Sequence, residues 1–162
     1  MNEKAIGIYD SGVGGLTVFK EIKKKMPEEN IIYLGDTRNF PYGNKEKEEI
    51  IKFAVKNTEI LIQKQVKVVI VACGTATSQA IDILRQKFDV PIIGIIEPTV
   101  QYIKNQGYQE VGVIATEGTI KSGAWEKTLK KEIPTIKVVN KACPMLANIA
   151  ESGNAESEQG KA

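Results

Sequence analysis

The feature that most constrains the fold is a regular alternation of short Ile- and Val-rich runs with longer segments of helical spacing. The apolar runs carry little polar alternation, which is typical of parallel strands covered on both faces. The predicted strands are Ala5–Tyr9, Ile31–Gly35, Val66–Ala72, Pro91–Ile96, Val111–Ala115 and Ile136–Val139.

Segments with helical spacing separate these strands. The predicted helices are Leu16–Met26, Lys45–Lys64, Thr75–Phe88, Val100–Asn105 and Ile120–Lys131. Strands that alternate with helices predict an α/β fold with a doubly wound, mainly parallel sheet. Such sheets bind their ligands beyond the carboxyl ends of the strands, so the residues that follow each strand are the candidates for a site.

Composition limits the classes of function. A net charge of +2 with both signs interspersed gives no reason to expect nucleic acid or an anionic membrane as partner. The longest apolar runs have the length of strands, and the N-terminus lacks a secretory pattern. Two cysteines do not make a disulfide framework, so we expect a reducing cytoplasm. The absence of histidine excludes Ser-His-Asp and Cys-His relays and His-based zinc sites from this chain, and proton transfer must use other groups.

A glycine-rich turn follows the first strand and contains Asp10-Ser11-Gly12-Val13-Gly14-Gly15. Such a turn lets a ligand approach peptide N–H groups at the start of a helix. A dinucleotide fingerprint is the rival interpretation. Thr17 at its third glycine position and a carboxylate where a pyrophosphate would enter count against that interpretation.

Cys73 follows the third strand and directly precedes a predicted helix. The positive end of the helix is expected to lower the pKa of the thiol and make thiolate available near neutrality. A small buried hydrophobe is the alternative, and the small polar residues after Cys73 favour a site. Cys143 is interpreted as an ordinary structural cysteine.

Two further strand ends carry polar residues. The loop after strand two contains Pro41, Tyr42 and Gly43, which are either turn-formers or one wall of a small pocket. After strand five, Thr116 and Thr119 either hold a carboxylate or simply cap a helix, and capping is the better interpretation of that stretch alone.

Together, the strand ends resemble the bacterial glutamate racemases of the aspartate/glutamate racemase family over nearly the whole chain. The motifs that carry this resemblance are Asp10-Ser11-Gly12-Val13-Gly14-Gly15-Leu16, Gly35-Asp36-Thr37, Pro41-Tyr42-Gly43, Ala72-Cys73-Gly74-Thr75-Ala76, Gly94-Ile95-Ile96-Glu97-Pro98, Thr116-Glu117-Gly118-Thr119, Lys121-Ser122-Gly123-Ala124, Ala142-Cys143-Pro144 and Glu151-Ser152-Gly153. Aspartate racemase, hydantoin racemase and arylmalonate decarboxylase share pieces of this set. The Pro-Tyr-Gly and Glu-Pro elements indicate the glutamate branch.

The resemblance implies an enzyme without cofactor or metal that interconverts L- and D-glutamate and supplies D-glutamate for peptidoglycan. Two cysteines on opposite faces of the α-carbon exchange its proton. Cys73 matches the first of these cysteines. Asp10 matches the acid that assists it and meets the substrate's amino group. Glu151 matches an acid that the family places near the histidine of the second cysteine. The residues that match substrate contacts are Asp10, Ser11, Pro41, Tyr42, Gly43, Thr75 and Thr116, with Thr119 a weaker match. Gly74 stands where the family usually has Asn, so one side-chain contact is lost unless the backbone N–H replaces it.

The second cysteine of the family lies in a Gly-Cys-Thr-His-Tyr-Pro stretch that does not occur here. The resemblance therefore implies a truncated racemase. Residues 1–98 would be an incomplete first α/β domain, 99–150 the opening half of a second, and 151–162 a disordered tail or truncation point. We expect that the chain as given does not racemise efficiently. The family forms homodimers, which makes a homodimer a candidate assembly.

Two alternatives stay open. One is a single-cysteine decarboxylase or isomerase of a small dicarboxylate, because such a reaction needs only one thiol. The other is a non-catalytic module that holds a carboxylate or a nucleotide at the glycine turn.

Overall fold

A computed structural model describes residues 3–153 and 156. Its strands are β1 (Ile6–Asp10), β2 (Ile31–Gly35), β3 (Val68–Val71), β4 (Ile92–Gly94), β5 (Glu110–Ala115) and β6 (Lys137–Ala142). Its helices are α1 (Leu16–Lys25), α2 (Lys47–Gln63), α3 (Gly74–Lys87), α4 (Ile96–Asn105), α5 (Glu117–Ser122), α6 (Ala124–Glu132) and α7 (Leu146–Glu151). Two short 3-10 turns, Thr37–Asn39 and Tyr42–Asn44, lie between β2 and α2.

Four strands form a parallel sheet in the order β2-β1-β3-β4. β1 is central, and Ile6 is in register with Ile31 on one side and with Val68 on the other. The sheet has helices on both faces. Ile8 packs towards α1 with Phe19, whereas its neighbour Tyr9 belongs to the larger core beneath α2 and α3. The predicted α/β architecture with a mainly parallel sheet is confirmed.

β5 and β6 form a second, two-stranded parallel sheet. One face of this sheet packs on α4 and α6 through Val100, Val113 and Leu129. On the other face Ile114 is 63% exposed and Val139 is 54% exposed. Within the described residues, no helix is both long enough and apolar enough to cross a membrane.

The predicted helix Val100–Asn105 was too short, because α4 begins at Ile96. Pro98 lies in its first turn, where a backbone N–H has no partner inside the helix, so proline is tolerated there. The fourth strand, predicted to extend to Ile96, therefore ends at Gly94.

The single helix predicted for Ile120–Lys131 was also wrong in detail, because it is two helices, α5 and α6. Gly123 separates them with φ of 65°, a left-handed conformation that ends α5. After β6, Glu151 is the last residue of α7. Of the predicted tail, residues 154, 155 and 157–162 lie outside the described residues.

Candidate active site

A cavity of about 370 Å³ opens where the carboxyl ends of β1, β3 and β5 meet the first turns of α3 and α5. This volume suits a small-molecule ligand. The polar side chains that line it are Asp10, Ser11, Cys73, Thr75, Thr116, Thr119 and Glu151. All seven were predicted as site residues, and the structure brings them together.

The thiol of Cys73 lies at the centre of the cavity wall, between the end of β3 and the start of α3. Its Sγ accepts the N–H of Ala76 at 3.4 Å and donates its proton towards Ser11 Oγ at 3.5 Å. Burial raises the pKa of Cys73, and the negative charge of Asp10 raises it further. The bonds with Ser11 and Ala76 lower it by less. The expectation of a lowered thiol pKa is therefore wrong, because burial and the charge of Asp10 raise the pKa more than the hydrogen bonds lower it.

Asp10 braces the glycine turn that follows β1. Its Oδ2 accepts the N–H groups of Gly12 and Gly15 at 3.1 and 3.2 Å. Tyr33 holds the same turn from the neighbouring strand, because its hydroxyl donates to the carbonyl of Gly12 at 3.0 Å. The position of Asp10 beside Cys73 is thus fixed by its own turn.

Glu151 binds the outer side of this turn. Its Oε1 accepts the N–H of Val13 at 3.1 Å and the N–H of Gly14 at 3.4 Å. With Asp10, it uses the peptide N–H groups of all four residues 12–15. A pyrophosphate would need these same donors, so the geometry disfavours the nucleotide-binding alternative.

Three threonine hydroxyls form a triangle across the cavity from the glycine turn. The Oγ1 atoms of Thr75 and Thr116 are 3.0 Å apart, those of Thr116 and Thr119 are 2.9 Å apart, and those of Thr119 and Thr75 are 3.3 Å apart. Thr116 Oγ1 also accepts the N–H of Thr119 and caps α5. Capping is therefore confirmed for Thr116, and its role in binding a carboxylate stays a prediction. Hydroxyls at two helix starts can donate to a ligand carboxylate.

The Pro41-Tyr42-Gly43 segment lies behind the cavity wall. The hydroxyl of Tyr42 donates to Asp36 Oδ2 at 2.6 Å and accepts from Asn57 Nδ2 at 3.0 Å. Phe40, next to this segment, reaches the cavity, whereas Pro41, Tyr42 and Gly43 are not among its lining residues. Their role as substrate contacts stays a prediction.

Apolar side chains that the sequence interpretation missed form the remaining wall. They are Phe40, Ile95, Ile114, Trp125 and Leu146. Ile95 follows β4 and Trp125 is the second residue of α6, so position at a strand end or in the first turn of a helix was the available signal. Gly74 also lines the cavity, and an added Cβ there would meet only Ile95 Cδ1 at 3.8 Å, so there is room for a side chain.

The charged groups of the lining are both acidic, Asp10 and Glu151. The cavity therefore attracts an ammonium group, and a carboxylate must be bound by hydroxyls and peptide N–H groups. Cys143 is half-buried and is not a lining residue. Among the described residues, no cluster of three or more acidic or thiol groups could hold a metal ion.

The fold that carries this cavity has counterparts among known proteins. The Asp/Glu/hydantoin racemase family matches residues 15–161, and the chain belongs to this family. This confirms the resemblance seen in the motifs.

Within that family, this chain is similar to glutamate racemases of several bacteria. That of Geobacter metallireducens is 44% identical over 96% of this chain and 58% of its own length. The crystal structure of the Bacillus anthracis enzyme matches with a TM-score of 0.93 at 37% identity, over 99% of this chain and 60% of its own. The Francisella tularensis enzyme, in complex with D-glutamate, has a TM-score of 0.88 at 38% identity, over 94% and 58%. The chain thus spans about three fifths of the length of these relatives.

Proposed function

We propose that this chain carries part of a cofactor-independent glutamate racemase, which interconverts L- and D-glutamate by proton transfer at the α-carbon and supplies D-glutamate for peptidoglycan synthesis. One observation carries the proposal, the buried Cys73 thiol beside Asp10 in a cavity of suitable size. The glutamate racemases that match almost the whole chain support it.

Binding follows from the charges and hydrogen-bonding groups of the lining. Asp10 is 6% exposed and lies near the thiol, so it can pair with the substrate's ammonium group. The triangle of Thr75, Thr116 and Thr119 offers hydroxyls to a carboxylate. The substrate's α-carbon would then lie between Asp10 and the threonine triangle, with one face towards the Cys73 thiol.

Proton transfer depends on the high basicity that burial gives to the thiolate. A raised pKa keeps Cys73 protonated in the empty cavity, which suits a proton donor. When an ammonium group pairs with Asp10, the negative charge of Asp10 is offset and its contribution to the raised thiol pKa falls, whereas the larger contribution of burial stays. Once formed, a thiolate without water is a strong base for a weakly acidic C–H bond. Ser11 and the N–H of Ala76 can stabilise that thiolate through hydrogen bonds.

The described residues supply one thiol to the cavity, since Cys143 does not line it. One thiol reaches one face of the α-carbon, whereas inversion needs a second group on the other face. We therefore propose that residues 1–98 form an incomplete first domain and residues 99–150 the opening half of a second. The chain alone is expected to exchange the α-proton of one enantiomer without inverting it.

The test follows the α-proton by NMR with L- and then D-glutamate in D2O. Cys73→Ala is the test variant and Cys143→Ala the matched control. Exchange of one enantiomer that is lost in Cys73→Ala and kept in Cys143→Ala is the expected result. No exchange of either enantiomer would contradict the proposal for this chain. Inversion by the parent chain would refute the one-thiol account.

The single thiol also supports a second candidate, decarboxylation of a small malonate-type dicarboxylate, because protonation of one face completes that reaction. Release of carbon dioxide that depends on Cys73, without exchange of glutamate protons, would favour it.

The proposal further includes a cytoplasmic location, since both cysteines are free thiols. A homodimer is the proposed assembly by analogy with the family, and sedimentation analysis tests it.

A further inference from the structure

Helix α7 crosses the cavity with little apolar burial to hold it there. Leu146, Ala147, Ala150 and Glu151 lie on one face of this six-residue helix and line the cavity. No residue of α7 is buried, and Leu146 is 44% exposed. Apolar packing alone therefore does not fix the helix, and a polar contact must contribute.

The carboxylate of Glu151 supplies that contact over a sequence separation of more than a hundred residues. Its Oε1 accepts the N–H groups of Val13 and Gly14 at the glycine turn. Hydrogen bonds from peptide N–H groups to a carboxylate are stronger than neutral ones. The same turn positions Asp10 and Ser11, so the two sides of the cavity are tied together at this point.

The glycine turn is shaped to receive this carboxylate. A Cβ atom added to Gly12 would collide with the carboxylate of Glu151, whose atoms are its three nearest neighbours. A Cβ atom added to Gly14 would make only ordinary contacts, with Asp10 Oδ2 at 3.7 Å and Glu151 Oε1 at 3.8 Å. Neither glycine has a left-handed φ, so space rather than backbone conformation requires glycine at position 12.

We propose that Glu151 is a positioning residue, whose carboxylate latches α7 to the glycine turn and so closes the cavity over the Cys73 thiol. It acts through the turn and keeps water from the thiol. The importance of this latch for catalysis rests on the proposed function, but the latch itself can be measured without glutamate.

The experiment measures the rate at which iodoacetamide alkylates Cys73 in the 162-residue chain, followed by intact mass. All variants carry Cys143→Ala, so that one thiol remains. Glu151→Ala is expected to raise the alkylation rate about tenfold. That factor corresponds to the free energy lost when two partly exposed, charge-assisted hydrogen bonds are removed. Glu151→Gln keeps an Oε1 acceptor and is expected to stay within about threefold of the parent.

Steric variants test the latch without removing the carboxylate. Gly12→Ala is expected to raise the alkylation rate as much as Glu151→Ala, and to add nothing in the Glu151→Ala background. Gly14→Ala is the matched control and is expected to alkylate at the parent rate. Circular dichroism confirms that each variant is folded, and Gly12→Ala replaces Glu151→Ala if the latter is not.

Two results would overturn the inference. One is an unchanged alkylation rate in both folded variants, Glu151→Ala and Gly12→Ala. The other is equal acceleration by Glu151→Gln and Glu151→Ala, which would show that the negative charge and not the hydrogen-bonded latch matters. Exchange of the glutamate α-proton is measured on the same variants, so that the latch and the proposed function are tested separately. Alkylation rates that follow the latch, without any exchange, would contradict only the proposed function.

Discussion

Gly43→Ala is expected to open the hydroxyl triangle of the cavity without a substitution at any of the three threonines. A Cβ atom at position 43 would lie 2.6 Å from Thr116 Cγ2 and 2.7 Å from Thr116 Cβ. Carbon atoms in contact prefer about 3.5 to 4.0 Å, so Thr116 must move by about 1 Å. The Oγ1 atoms of Thr75 and Thr116, now 3.0 Å apart, would then approach about 4 Å, which is too long for a hydrogen bond.

The energetic consequence should be that of overpacking at a half-buried contact, about 2 kcal/mol. With a urea m-value of about 2 kcal/mol/M for a chain of this size, the unfolding midpoint falls by about 1 M. Exchange of the glutamate α-proton should also weaken, because a carboxylate loses part of its binding site. Gly112→Ala is the control, since no atom lies within 4 Å of the added methyl group and its φ is not left-handed.

The reasoning is refuted if Gly43→Ala unfolds at the same urea concentration as Gly112→Ala. It is also refuted if Gly43→Ala is destabilised but binds and exchanges glutamate as the parent does. In that case the backbone at Gly43 would move while Thr116 keeps its position, and the three hydroxyls would not depend on glycine at position 43.

Three further predictions concern buried groups and the backbone. Burial raises the pKa of Cys73 and of Tyr42, so the unfolded chain loses these two protons at lower pH than the folded chain does. The free energy of unfolding in urea should therefore be constant below about pH 8.5, fall progressively above it and fall more steeply beyond about pH 10. A flat pH profile would contradict the raised pKa values. Tyr42→Phe removes the donor to Asp36 and should lower the free energy of unfolding by about 1 to 3 kcal/mol, whereas unchanged stability would mean that this buried bond contributes nothing. Gly123→Ala should lower the stability by about 1 kcal/mol through its left-handed φ alone, since no atom lies within 4 Å, and equal stability of the two proteins by thermal unfolding would exclude that strain.

The strands were predictable because parallel strands covered on both faces are continuous apolar runs. β2 has the predicted bounds, Ile31–Gly35. The start of α4 was not predictable in the same way, because Pro98 is a helix breaker by local rules and is tolerated only in a first turn. Gly123 similarly divides a pattern that has helical spacing on both sides of it.

Much of the site was also predictable, because the topology of a parallel sheet decides where strand ends meet. Asp10 ends β1 and Cys73 comes shortly after the neighbouring strand β3, so their proximity follows from the order β2-β1-β3-β4. Thr116 follows β5 in the second sheet, and only the packing of α5 against α3 brings its hydroxyl within 3.0 Å of Thr75. The apolar wall that includes Trp125 and Ile95 carried no chemical signal in the sequence.

The sequence by itself determined the α/β architecture and the identity of the groups that lie near the ends of the strands, because these depend on residue order and on hydrogen bonds close in the chain. Only the tertiary structure decided how these groups behave. The thiol pKa of Cys73 rises because burial removes water, which no local pattern records. The carboxylate of Glu151 meets the peptide N–H of Val13 across 138 positions of the chain, and Tyr42 turns inward to Asp36. Desolvation and long-range contacts are properties of the packed molecule, so they exist only once the chain has folded.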